Sequence, residues 1–210
     1  MGQYSKQSAI YIGLLLICST YTLISPFYPR VAEKKGLPLW LIGVMFALNP
    51  LANILASPFL GKHLIQLGRK RVIMASYIFT ALSMFILSPI EYFDTTFVVI
   101  FSVISRLLGG IGASCLFITI TTIFISDYPD KMQTMIGRME SSIGVGLILG
   151  PILGTGLYYI NLLAALVVVG GLILLFSPVA WKMLGTFREY EIQEININRT
   201  KLLFKPVKTN

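Results

Sequence analysis

The chain has 210 residues, of which 55% are hydrophobic and only 12% charged. Soluble domains carry about 25% charged residues, so the composition excludes a soluble globular protein and points to an integral membrane protein. The net charge of +8 comes mostly from loop and tail lysines and arginines, which fits membrane orientation and implies no nucleic-acid partner.

The first predicted membrane helix covers about 8–27. Lys6 followed by an apolar run resembles a signal peptide, but the run continues to Phe27 without a small-residue cleavage site, so the segment is read as a retained span. Met1-Gly2 opens like a myristoylation site, but Lys6 stands where Ser or Thr is needed. Cys18 lies inside this run and Cys115 inside a later one, which implies no disulfide framework.

The second helix is predicted at about 39–60. Asn49, Pro50 and Asn53 make a polar notch in it, and the two asparagines, four apart, share a face. They either line a cavity or hydrogen-bond a neighbouring helix. A basic loop follows, Gly61-Lys-His-Leu-Ile-Gln-Leu-Gly68-Arg69-Lys70-Arg71. His63 is the sole histidine, and one histidine builds no metal site. Arg69, Lys70 and Arg71 are most simply a topology and lipid-headgroup signal.

The third helix, about 72–90, is joined by a short connection to the fourth, about 97–119, whose apolar run continues to Ser126. The fourth contains Arg106-Leu-Leu-Gly-Gly110-Ile-Gly112. Arg106 falls near mid-membrane, where a charge costs at least about 2.5–3.5 kcal/mol and must face protein or water. It is either a cavity cation or a structural arginine bonding backbone carbonyls. Asp127 and Asp130 flank Pro129 in the next turn, without metal-ligand partners.

The fifth helix, about 137–158, begins near Glu140, the one acid placed within a span. A carboxylate there is a proton or cation site, or else an acid favoured by the helix N-terminus and nearby water. Gly146, Gly150 and Gly154, four apart, form a stripe without Cβ atoms that invites close approach of another helix. Pro151 lacks the N–H that would bond the Leu147 carbonyl. In hydrocarbon that carbonyl must find protein or trapped water, so the helix is expected to bend and to pack against a neighbour. The sixth helix is predicted at about 160–181, with Tyr158 and Tyr159 at one interface and Trp181 at the other. Residues 183–210 read as a polar tail or the start of a linker. The domain reading is therefore a six-helix bundle over 1–182 plus that tail, an all-α fold.

With the N-terminus in the cytosol or its equivalent, thirteen Lys and Arg lie on that side, three (Arg30, Lys34, Lys35) on the other, and Arg106 within the membrane. The positive-inside rule places both termini there. Asn198-Arg-Thr200 is a glycosylation sequon by pattern and is expected to stay unmodified on that side.

The loop pattern from Gly61, the Arg106 pattern in helix four and the Gly146–Gly154 pattern in helix five, in that order, resemble the N-terminal six-helix half of a major facilitator superfamily transporter. They are similar to its loop motif, its helix-four arginine motif and its antiporter motif. Ser25-Pro-Phe-Tyr-Pro-Arg-Val-Ala-Glu-Lys-Lys-Gly36, Ser57-Pro-Phe-Leu-Gly-Lys62 and Gly137-Arg-Met-Glu140-Ser-Ser-Ile-Gly144 resemble the vesicular amine and polyamine branch. The resemblance implies proton-coupled exchange of organic cations (amine, polyamine or drug). It makes Arg106, Glu140, Asn49 and Asn53 candidates for substrate and proton coupling. Gly61, Gly68, Arg69, Lys70, Gly110, Gly146, Gly150, Pro151 and Gly154 become candidates for conformational gating. One departure is Ile65, which stands where the loop motif has an acid, so a helix-anchoring carboxylate is missing there.

The family has twelve helices with the cavity between two halves, so this chain supplies half a cavity. Its expected partners are the lipid bilayer and a second transporter half, a copy of itself or a larger membrane complex. No enzyme constellation, metal or cofactor is implied. The alternative is a transport-inactive half serving as a structural subunit.

Overall fold

The computed structural model describes residues 3–158 and 161–184. Tyr159, the tail from 185 and the Asn198 sequon lie outside the described residues, as does the Tyr158 side chain. Among the described residues, seven α-helices build six membrane-length spans: α1 (Gln3–Leu23) with α2 (Tyr28–Lys34), α3 (Leu39–Leu67), α4 (Arg69–Leu87), α5 (Thr95–Asp127), α6 (Met132–Tyr158) and α7 (Leu162–Leu184).

Every helix is present where an apolar run foretold it, but several run further. The second ends at Leu67 instead of about 60, the fourth at Asp127 instead of about 119, and the fifth starts at Met132 instead of about 137. Hydropathy stops at the membrane boundary, whereas the backbone ladder continues until something breaks it. At Leu67 the breaker is Gly68, at φ 85°, a left-handed conformation that glycine adopts freely.

The first span continues past Phe27. Its ladder breaks around Pro26 and resumes as α2, with Phe27, Tyr28, Val31 and Ala32 all buried. A glycine-capped turn ends α2: Gly36 takes φ 78° and the Leu37 N–H returns to the Ala32 carbonyl. Lys35 Nζ then donates to the Glu91 and Phe93 carbonyls at 2.8 and 2.9 Å, and Thr95 Oγ1 donates to the Lys35 carbonyl. These bonds tie together the two loops at this end, opposite the basic loop around Arg69.

The packing pattern is roughly symmetric. α1 packs on α6, α5 packs on α3, α4 packs on α7, and α4 also packs on α5, with a smaller counterpart between α7 and α1. Exchanging the first span for the fourth, the second for the fifth and the third for the sixth reproduces this pattern, as in a pair of three-helix repeats. One apolar cluster, including Ile10, Tyr77, Phe124 and Met135, fills the basic end. Another, including Leu23, Phe27, Met45, Leu87 and Leu162, fills the opposite end. Between them the α1–α6 pair and the α3–α5 pair stand apart, with little contact of α1 or α6 on α5.

In lipid no hydrophobic force drives helix on helix, so close contact and hydrogen bonds decide which faces meet. The glycine stripe acts in this way. A Cβ at Gly146 would lie 2.7 Å from the Leu15 carbonyl oxygen, and one at Gly150 2.5 Å from that of Ser19, while Gly154 abuts Leu23. The carbonyl freed by Pro151 is also satisfied from α1: Thr22 Oγ1 donates to Leu147 O at 3.1 Å. Thr22→Val should therefore destabilise the bundle by about 0.6–2 kcal/mol. In a Pro151→Ala background, where the helix supplies its own bond, the same change should cost almost nothing. Thermal unfolding in detergent of the two singles and the double variant measures this coupling, and additive effects would refute it.

Candidate functional site

A cavity of about 200 Å³ opens between the two helix pairs. It lies at the middle of the spans, where α1 contributes Thr20 and Tyr21, α3 Asn49 and Asn53, α4 Thr80 and Ser83, and α5 Ser105 and Arg106. Ile143 and Leu147 of α6 close one side. So many polar side chains at this depth are costly unless they serve a hydrated space or bond one another.

Part of the set is internally bonded. Ser105 Oγ donates to Ser83 O at 2.8 Å, and Ser83 Oγ to Thr80 O at 2.7 Å. Beside the cavity, Ser57 and Ser114 share a bond of 3.1 Å across α3 and α5. Glycines permit this approach: a Cβ at Gly110 would collide with the Asn49 carbonyl, and one at Gly109 would lie 2.9 Å from Asn49 Nδ2. Gly112 does the same against Thr80 and Ser76 of α4.

Arg106 is 2% exposed. Its guanidinium carbon lies 4.9 Å from the Phe46 ring and 5.4 Å from the Tyr28 ring. The two rings meet edge to face at 5.6 Å, giving the cation a partial aromatic cage. No carboxylate lines the cavity among the described residues.

The structure thus gathers Arg106, Asn49 and Asn53 around one space and leaves Glu140 outside its lining. Glu140 is exposed on α6. Residues 140, 143 and 147 follow one helical face, so Glu140 stands one turn toward the basic end from Ile143, which lines the cavity.

The gating candidates separate into three groups. A Cβ at Gly61 would meet nothing within 4 Å, whereas Gly68 makes the sharp turn between α3 and α4. Arg69 is buried and donates to Asp127 Oδ1 at 2.9 Å, and Lys70 sits 3.9 Å from the Trp181 ring. Gly110, Gly146, Gly150, Gly154 and Pro151 are all used in helix contacts or their satisfaction. Ile65 offers this loop no carboxylate, and the acid that pairs with Arg69 is Asp127 at the end of α5. Asp127→Asn should lower stability by about 1–3 kcal/mol, since Arg69 loses a charged partner while the half-exposed acid limits the gain that is lost. A thermal shift equal to that of Asp130→Asn would contradict this.

Sequence reasoning missed Asp127, Thr22 and the Tyr28–Phe46 cage. The hydroxyl-rich stretch around Thr20 and Thr22 was a usable signal; the aromatic pair was not, because its members lie on separate helices.

The family model described as Major Facilitator Superfamily matches residues 10–207. The MFS-type transporter SLC18B1 of Mus musculus is 29% identical over 140 residues, 66% of this chain and 30% of that protein. Its Homo sapiens counterpart is 26% identical over 169 residues, 80% of this chain and 37% of that protein. Quinolone resistance protein NorA of Staphylococcus aureus is 24% identical over 208 residues, 94% of this chain and 52% of that protein. The chain spans about a third of the length of the SLC18B1 relatives it matches.

Proposed function

The chain belongs to the major facilitator superfamily, and on that premise we propose that it forms one half of a transporter exchanging protons for organic cations. The observation that carries the reading is the polar cavity at mid-membrane between the α1–α6 and α3–α5 pairs, with Asn49, Asn53 and Arg106 in its wall. Its open side faces a second half, which completes the space. The spans of α3, α6 and α7 are only 22%, 17% and 28% buried, against 50–56% for α1, α4 and α5. Of the three exposed helices, α3 and α6 border the cavity, and a covering half on those two would complete it. The similarity to a quinolone resistance protein supports a solute of the drug class.

In this mechanism the glycine-packed α1–α6 pair and the α3–α5 pair move as rigid units. A second half rocking against them opens the cavity to one side and then the other. Asn49 and Asn53 offer amide oxygens to ammonium N–H groups. Glu140, one turn beyond the cavity wall, holds the proton or the departing cation. Both termini lie on the cytosolic side, as the basic residues direct.

The test is reconstitution into liposomes of the protein, with any partner that copurifies, under an imposed pH gradient and with labelled polyamine and monoamine. The expected result is uptake that follows the gradient and collapses with a protonophore. No gradient-dependent flux would set the transport reading aside in favour of a structural subunit.

A further inference from the structure

Arg106 lines the cavity, and behind it, away from the basic loop, four buried polar atoms have no hydrogen-bond partner: Arg106 Nε and Nη2, Tyr28 Oη and Ser102 Oγ. They belong to one cluster. Ser102 and Arg106 are four apart on α5 and share a face. The Tyr28 ring lies 5.4 Å from the Arg106 guanidinium carbon, and its hydroxyl is beside Ser102 without a hydrogen bond of proper geometry. Tyr28 and Ser102 are fully buried and Arg106 is 2% exposed. Buried polar groups are ordinarily bonded, and an unbonded set marks an absent partner.

The chemistry of the set defines that partner. A guanidinium has donors only and does not deprotonate. The two hydroxyls are free to turn their hydrogens inward. The Tyr28 and Phe46 rings cover faces of the cation but offer no acceptor along its N–H directions. Water would satisfy the donors and leave the charge uncompensated, with no carboxylate in the cavity wall among the described residues.

We propose that Arg106, Tyr28 and Ser102 form a binding subsite for one monovalent anionic group. That group is either a free halide such as chloride or the carboxylate of a zwitterionic solute. The subsite goes beyond the cation-exchange reading: once filled, it cancels the positive charge that would otherwise repel an ammonium from the same cavity.

Thermal unfolding of the purified chain tests this without any transport, so its failure is distinguishable from failure of the transporter reading. Chloride replaces gluconate at fixed ionic strength, and lysine is compared with cadaverine, its counterpart without a carboxylate. A saturable rise of a few degrees with chloride identifies a free-ion site. A rise with lysine but not with cadaverine identifies a solute carboxylate. In either case Tyr28→Phe and Ser102→Ala, which keep the packing, should raise the half-saturating concentration several-fold, and Arg106→Gln should abolish the shift. Unfolding indifferent to chloride and lysine, or a shift unchanged in Tyr28→Phe and Ser102→Ala, would overturn the subsite.

Discussion

Replacing Gly150 with leucine should separate α6 from α1 and lose most of the folded protein. A side chain there runs into Thr22 Oγ1 and the backbone of Ser19 and Leu23. Backbone cannot swing aside as a flexible side chain does, and forced overpacking costs about 1–3 kcal/mol, or more where nothing yields. Parting the two helices also breaks the Thr22 bond to Leu147 O and exposes an unpaired carbonyl to lipid. The loss should therefore reach about 3 kcal/mol or more. Gly144→Ala and Gly156→Ala are the controls, since nothing lies within 4 Å of a Cβ at either position. Those changes should be neutral or stabilising by up to about 1 kcal/mol. Size-exclusion profiles and melting in mild detergent measure both, and a monodisperse Gly150→Leu protein melting with the parent would refute the α1–α6 contact.

Glu140→Gln should abolish proton-driven uptake while leaving melting unchanged. The carboxylate is exposed, so an amide of the same shape should not disturb folding, and it cannot carry the proton. Arg106→Lys should cut uptake by about 10–100-fold, because an ammonium does not reproduce the planar five-donor fork and charge-assisted bonds are worth about 1.5–3 kcal/mol. The pair separates function from structure. If the chain serves only as a subunit, Glu140→Gln should be silent, and Arg106→Lys should lower yield of the complex in step with its effect on melting.

How far the sequence carried differs from residue to residue, for physical reasons. The spacing of Gly146, Gly150 and Gly154 announced a close contact, and Pro151 announced a carbonyl in need of a donor. Both are properties of one helix, so both were readable. That the contact is α1 and the donor Thr22 depends on which helix lies alongside, and no local pattern encodes it. The Arg69–Asp127 pair spans 58 positions and was hidden for the same reason. Asp127 looked like a turn residue because the apolar run had ended, although the helix had not. Arg106 was legible as a charge that needed shelter, while its shelter, Tyr28 and Phe46, comes from α2 and α3. The cavity itself combines five helices, which explains why Asn49 and Asn53 stood out and Thr80, Ser83 and Ser105 did not: a lone hydroxyl in a span usually bonds its own helix, as Ser83 does.

The two native cysteines allow the most direct test of whether the space between the helix pairs is the solute path. Cys18 lines the cavity, whereas Cys115 is packed among Leu60, Leu64 and Val72. In the membrane, a small cationic methanethiosulfonate reagent should modify Cys18 at least about tenfold faster than Cys115, and a transported polyamine should slow that reaction. Equal inertness or equal reactivity of the two thiols, with no effect of added amine, would contradict a solute path at this site.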